Sequence, residues 1–287
     1  MSLNADREGL GQQPNPLAIE GIEFIEFATR KPQALGQYLE RFGFRPVARH
    51  RSREVLRYCQ GSMNIIINSH GLDDDDAEGP RLSAIALRVQ NAAGAWRSLT
   101  ARGAWPVQAS VEPMELWIPG IHGVGDSRIY LVDRWREFSI YDVDFVPIPT
   151  VDPEVPAICG LRWFGIVQYV GTDRSAEWIA FYHSLFGFIE LAASERFGIL
   201  PRGSVLRSPC GNFFLQLIEA QPDDPSQGIE RLQRIALATP DVPEAIQALR
   251  ARGIEFVELG AAADPTRGAL TRSHPDAPAV ELVRVAP

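Results

Sequence analysis

The sequence predicts an α+β protein of two tandem halves, each built from two β-α-β-β-β modules. Three observations predict it. A short apolar run followed by an amphipathic helix ending in Ala-Arg-Gly is written twice, first as Ser83–Arg88 with Ala95–Gly103 and again as Gln233–Ala238 with Ala245–Gly253. A helix closed by Phe-Gly-Phe is also written twice, at Phe42-Gly43-Phe44 and Phe186-Gly187-Phe188. Between the copies, Pro147–Pro156 holds four prolines in ten residues, the composition of a linker. Self-similarity at a period of about 145 residues means that one plan is used twice.

The elements follow in order. Gly21–Ala28 is rich in Ile and Phe and reads as a strand. Pro32–Arg41 reads as a helix, with Leu35 and Leu39 four apart and Gly43 just past its end. Pro46–His50, Glu54–Gln60 and Met63–Asn68 are strand-like, the last two joined by the turn Gly61-Ser62. Asp73–Asp76 reads as a solvated loop, because calcium would need ligands at alternating spacing. A second module starts at Leu82. Its glycine-rich stretch Gly120–Asp126 lacks the strand-to-helix context of a phosphate loop and reads as a turn. Arg128–Asp133 and Glu137–Phe145 read as a hairpin. The second half repeats the plan: strand Leu161–Val170, helix Ala176–Leu185, strands Ser204–Arg207 and Asn212–Glu219, then a last module from Leu232 to Val285. Two such modules bury one face of a curved sheet and form a half-open barrel with helices outside. The expected organisation is a loose tail over 1–18, a first domain over 19–146, a linker over 147–158 and a second domain over 159–287.

Composition excludes several classes of function. The chain has 287 residues, 45% hydrophobic and 22% charged, ordinary for a globular protein of about two domains. A net charge of −8 argues against a nucleic-acid surface and against docking on a membrane. No apolar run approaches the roughly 20 residues of a membrane span, and no signal peptide is apparent. Cys59, Cys159 and Cys210 are scattered, without Cys-x-x-Cys spacing, which predicts a reduced, cytoplasmic protein. Nothing in the sequence decides for or against a homo-oligomer.

Several motifs carry a resemblance. In the first half they are Glu26-Phe27-Ala28, Leu39-x-x-Phe42-Gly43-Phe44, Gly61-x-x-Asn64-x-Ile66-x-Asn68 and Tyr130-Leu131-Val132-Asp133-Arg134. In the second they are Trp178-x-x-Phe181-Tyr182-x-x-Leu185-Phe186-Gly187-Phe188 and Ser208-Pro209-x-Gly211. Through them the chain resembles the vicinal-oxygen-chelate superfamily, and within it the 4-hydroxyphenylpyruvate dioxygenase family, over nearly all of 19–285. The resemblance implies non-haem Fe(II), held by two histidines and one glutamate on three strands of the second domain, with open positions for a keto acid and O₂. It places those ligands at Gly165, Arg234 and Glu281, so Glu281 alone is of ligand type. The corresponding first-domain positions are Phe24 and Ala84. The family's serine, asparagine and glutamine fall on Gly203, Ile218 and near Arg272, and the family's long C-terminal helix is not expected after Pro287.

These departures predict a metal site replaced by something else, with no cofactor. Arg234 is expected to pair with Glu281, since a buried guanidinium keeps its charge and needs an anion. An alternative use of the same residues is a site for a small carboxylate or aromatic acid. Arg234 and Arg272 would face the acid, Gln216 would add a donor, and Val167 and Phe214 would line the cavity. Catalytic residues are not assigned, and whether the chain is an enzyme stays open. A keto-acid dioxygenase holding Fe(II) through other ligands is the alternative, with His274 beside Glu281 the one combination of interest. A structural or partner-binding role without chemistry is the third reading.

Overall fold

The computed structural model describes residues 14–70, 72, 79–108, 115–192, 203–219, 229–258 and 266–285. The first half contains β1 (Gly21–Ala28), α1 (Pro32–Arg41), β2 (Arg45–His50), β3 (Val55–Gln60), β4 (Met63–Asn68), β5 (Arg81–Arg88), α2 (Ala92–Ala101), β6 (Gly120–His122), β7 (Arg128–Val132), α3 (Ile140–Asp144) and β8 (Phe145–Pro147). The second contains β9 (Arg162–Val170), α4 (Ser175–Phe186), β10 (Ile189–Glu190), β11 (Ser204–Arg207), β12 (Phe214–Glu219), β13 (Arg231–Thr239), α5 (Val242–Ala251), β14 (Gly268–Leu270) and β15 (Val280–Arg284).

The two halves have one topology. Strands run β2-β3-β4-β1-β5-β7-β6 in the first and β10-β11-β12-β9-β13-β15-β14 in the second, with β8 added on the edge of β2. Even the irregularities repeat. The register shifts between Ile22 and Phe24 in β1, and the matching shift falls opposite Ala236–Leu237 in the β13–β9 pair. One pair, Leu232 with Leu82, joins β13 to β5 and makes the strands one open sheet.

Both faces of the central strands are covered, which is why β1 is buried at all eight positions. On one face Ile25, Ile65, Ile85, Ile166 and Ile235 pack with Leu35, Leu99, Leu185 and Leu249 from the four long helices, in one core shared by both halves. The concave faces hold smaller clusters, one in each barrel, around Phe24 and around Phe164.

The repeated Ala-Arg-Gly is a contact between the halves. Arg102, at the end of α2, donates to the carbonyls of Ser184 and Leu185 near the end of α4, at 2.8 and 2.9 Å. Arg252, at the end of α5, donates to Arg41 and Glu40 at the end of α1, at 2.7 and 3.0 Å. Each arginine thus caps the open carbonyls of a helix in the other half, where a cation also suits the helix dipole. The glycines that follow, Gly103 and Gly253, have φ of +94° and +84° and turn the chain back towards the sheet.

Three expectations need correction. Glu137–Phe145 is not a strand: Ser139 starts the short helix α3, and the Asp142 carboxylate accepts the Ser139 backbone N–H at 2.7 Å. That Ser-x-x-Asp signal outweighs the β-branched composition. Residues 14–18 are not loose: Leu17 is 5% exposed within the main core, and Pro16 packs on Gly187. The proline-rich stretch is pinned to the first half through β8, through Ile148 N–H to Val47 O and through Gly61 N–H to Val155 O. Residues 1–13 and Asp73–Asp76 lie outside the described residues.

Candidate functional site

The second barrel brings the expected residues onto neighbouring strands. Phe214, Gly165, Ala236 and Glu281 stand side by side across β12, β9, β13 and β15. Gln216, Val167 and Arg234 form the adjoining row. Arg234 and Glu281 are each 4% exposed, and Arg234 Nε donates to Glu281 Oε2 at 3.4 Å. Arg234 Nη2 is buried without a hydrogen-bond partner among the described residues. A buried guanidinium with one donor unmatched is the feature of this barrel that most calls for explanation.

The space beside the pair is small. A cavity of about 20 Å³ is lined by Phe164, Gly165, Val167, Phe214, Gln216 and Glu281, among others, while Arg234 stands outside the lining. That is room for about one water. Phe164 and Phe214 close it, stacked with ring centroids 4.9 Å apart and 28° between planes. Phe164 escaped the sequence reading, although an aromatic directly before Gly165 on an inward-bulged strand was its signal.

The residues at the three expected ligand positions do not fit a ferrous ion. A Cβ placed on Gly165 would lie 2.0 Å from the Phe214 carbonyl oxygen, so no histidine side chain can leave the strand there without moving backbone. Arg234 is a permanent cation. Glu281, the remaining donor, already accepts from that cation. Among the described residues no three His, Cys, Asp or Glu side chains converge in a metal-holding group.

Two other expectations fail. Arg272 does not face the barrel: its side chain is 64% exposed and pairs with Glu255 at 3.6 Å. The strand β14 ends at Leu270, and the chain turns outward beyond it. His274 does not join Glu281: it lies 6.2 Å from the Tyr38 ring of the first half, stacked on it, with Asp276 at 4.0 Å from its Nδ1.

Comparison with known proteins places this architecture. A family model described as hydroxyphenylpyruvate dioxygenase, N-terminal, matches residues 13–146, and one described as the glyoxalase/bleomycin resistance protein/dioxygenase superfamily matches 165–260. A 4-hydroxyphenylpyruvate dioxygenase from Pseudomonas aeruginosa is 32% identical over 264 residues, which cover 86% of this chain and 73% of that protein. The chain belongs to the 4-hydroxyphenylpyruvate dioxygenase family of that superfamily. Within the family's reach lie proteins with other names. Hemolysin VllY of Vibrio vulnificus is 34% identical over 263 residues, 85% of this chain and 73% of that one. A 3-dehydroshikimate dehydratase of Pseudomonas aeruginosa is 34% identical over 272 residues, which are 86% of this chain but 41% of that longer protein. A solved triple mutant of 4-hydroxymandelate synthase from Streptomyces coelicolor overlays with a TM-score of 0.75 over 94% of both chains at 15% identity, a likeness of fold alone. No helix among the described residues is long and apolar enough to cross a membrane.

Proposed function

We propose that this protein is a family member in which a buried ion pair takes the place of the metal centre, and that its second barrel binds a small carboxylic acid without metal. The observation that carries the reading is Arg234, a fully buried cation with one unmatched donor. A carboxylate satisfies a guanidinium best when it takes two parallel N–H bonds. Glu281 reaches Nε at 3.4 Å, a long contact for a charge-assisted bond, and leaves Nη2 unserved. An incoming acid would share or displace Glu281 and supply the second bond. A volume of about 20 Å³ holds about one water, so even acetate needs the barrel to open beside Glu281 before it reaches Arg234. The aromatic acid expected from the resemblance would require the Phe164–Phe214 stack to part.

Unpaired Cys59, Cys159 and Cys210 support residence in a reducing compartment such as the cytoplasm.

The test is calorimetric titration with acetate and pyruvate, alongside oxygen uptake with 4-hydroxyphenylpyruvate and added Fe(II). The expected result is acid binding that tightens in Glu281→Gln, where a competing negative charge is gone, and no oxygen uptake. Oxygen consumption with bound iron would establish the dioxygenase reading instead. Absence of any acid binding would leave the partner-binding role.

A further inference from the structure

The roomier cavity is in the first barrel: about 190 Å³, against about 20 Å³ in the second. The two barrels differ in the residues that share a row across the strands. Glu26, Ala84 and Arg128 form one row across β1, β5 and β7, and Phe24, Ala86 and Tyr130 form the next. In the second barrel the place of Ala84 is taken by Arg234. Alanine stands on the middle strand of the roomier barrel and arginine on that of the narrower one. At roughly 30 Å³ per water, the cavity equals about six waters. That admits one small organic molecule.

This row presents two opposite charges that do not meet. Glu26 is 7% exposed, and its Oε1 accepts Ser83 Oγ at 2.8 Å and Asn68 Nδ2 at 3.4 Å. Both donors are neutral, and among the described residues no lysine, arginine or histidine forms an ion pair with Glu26. A buried carboxylate served only by neutral donors favours a cationic one. Across Ala84, Arg128 is exposed at the cavity mouth, Nη1 donates to Tyr130 Oη at 3.4 Å, and the guanidinium feels the Glu26 charge, with no ion pair closed between them among the described residues. Burial, and then the Glu26 charge, push the Tyr130 phenol up, so Tyr130 stays neutral and does not compensate Arg128. With strands about 4.8 Å apart, the Cα atoms of Glu26 and Arg128 are roughly 10 Å apart, a span two facing side chains nearly close.

At this cavity Arg53 and Glu115 form an ion pair, while Asp144, also buried, is served by a neutral donor as Glu26 is. Arg53 holds Glu115 through two nitrogens. Asp144 accepts the Leu116 N–H at 3.2 Å. His50 Nδ1 accepts the Arg53 N–H at 3.2 Å, which puts the ring's proton on Nε2. Around the charged row the walls are apolar and aromatic, with Phe24, Ile66, Tyr141 and Phe145.

We propose that the first barrel binds an α-amino acid with an apolar or aromatic side chain, its ammonium on Glu26 and its carboxylate on Arg128. One molecule carrying both charges spans the row from buried Glu26 to Arg128 at the mouth, and its side chain lies against the aromatic wall. The site is independent of the acid site in the second barrel.

The experiment is calorimetry and thermal shift on the full chain with L-phenylalanine and L-leucine. The controls are 3-phenylpropionate and phenethylamine, which carry one of the two charges each. An amino acid should bind at least about tenfold more tightly than either control. Glu26→Gln should weaken it by about tenfold or more, and Ala84→Arg, which copies the second barrel, should abolish it. Circular dichroism verifies that Ala84→Arg folds, and Glu26→Gln, a change of a single atom type, tests the same point without crowding. Glu281→Gln should leave amino-acid binding unchanged, so failure of the acid site and failure of this one are read separately. The proposal is overturned if neither amino acid binds, if a control binds equally well, or if binding survives Glu26→Gln undiminished.

Discussion

Replacing Glu281 by glutamine removes the carboxylate bonded to Arg234 while keeping the shape of the side chain. Both side chains are 5% exposed, and the contact is 3.4 Å. At an effective dielectric near 20, two unit charges at that separation attract by roughly 4–5 kcal/mol. Desolvation offsets much of that in the intact pair. In the variant the guanidinium keeps its desolvation penalty and loses the attraction, so the expected loss is about 3–5 kcal/mol. Out of a total stability of about 5–15 kcal/mol, this is a large fraction. Arg234→Met combined with Glu281→Leu removes both charges and should cost far less, or stabilise by about 1–4 kcal/mol. Equilibrium unfolding in urea, followed by circular dichroism, measures both, provided the slope with denaturant is unchanged. Acetate should restore part of the loss in Glu281→Gln, because the Arg234 guanidinium there lacks an anion. A cost below about 1 kcal/mol for Glu281→Gln, or a double variant less stable than the single one, would refute the reasoning.

Gly165→His with Arg234→His, which puts histidine at the two positions that the resemblance assigns to ligands, should not bind iron stoichiometrically, because a Cβ at Gly165 would lie 2.0 Å from the Phe214 carbonyl oxygen. Metal analysis after dialysis checks it, and Gly165→Ala alone should destabilise by about 1–3 kcal/mol through overpacking. Arg102→Ala and Arg252→Ala should each lower stability by about 1–2 kcal/mol, since each removes two bonds from a guanidinium to helix-end carbonyls on the surface. Burial, outweighing Asp144 and Glu115, holds His50 below its ordinary value of 6.5. The unfolded chain therefore takes up the proton first as pH falls. The contribution of His50 is fully present above about pH 6.5 and is lost as pH falls through the lower folded value. Unfolding curves of wild type and His50→Gln between pH 7.5 and 5 should show the steeper loss in wild type. Burial and the Glu40 charge push Tyr58 up to about 12, so its phenol should stay protonated at pH 11 in the folded protein, as read by ultraviolet absorbance.

The tandem plan was legible because it rests on local patterns: apolar runs, helix ends and turn residues written twice. Where two local signals competed, the reading failed. Glu137–Phe145 has a strand's composition, yet Ser139 and Asp142 turn it into α3. Arg234 beside Glu281 was reached through the family's ligand positions, and the structure shows the contact. Arg272 was placed in the barrel by the same route, but it follows a strand that ends at Leu270 and points outward. The arginines of Ala-Arg-Gly were visible only as helix ends. Their partners lie 82 and 211 residues away in the chain, beyond any local pattern.

By itself the sequence determined the fold class and the duplication, because each depends on residue identity at a position or on short-range periodicity. The tertiary structure decided where there is room. Cavity volume depends on which side chains share a row across strands far apart in sequence, and no single strand carries that information. The first barrel keeps about 190 Å³, whereas in the second the stack of Phe164 on Phe214, from two different strands, leaves about 20 Å³. The sequence directs attention to the half where the family keeps its metal. Packing leaves the larger space in the other half, between strands whose side chains meet only in the folded chain.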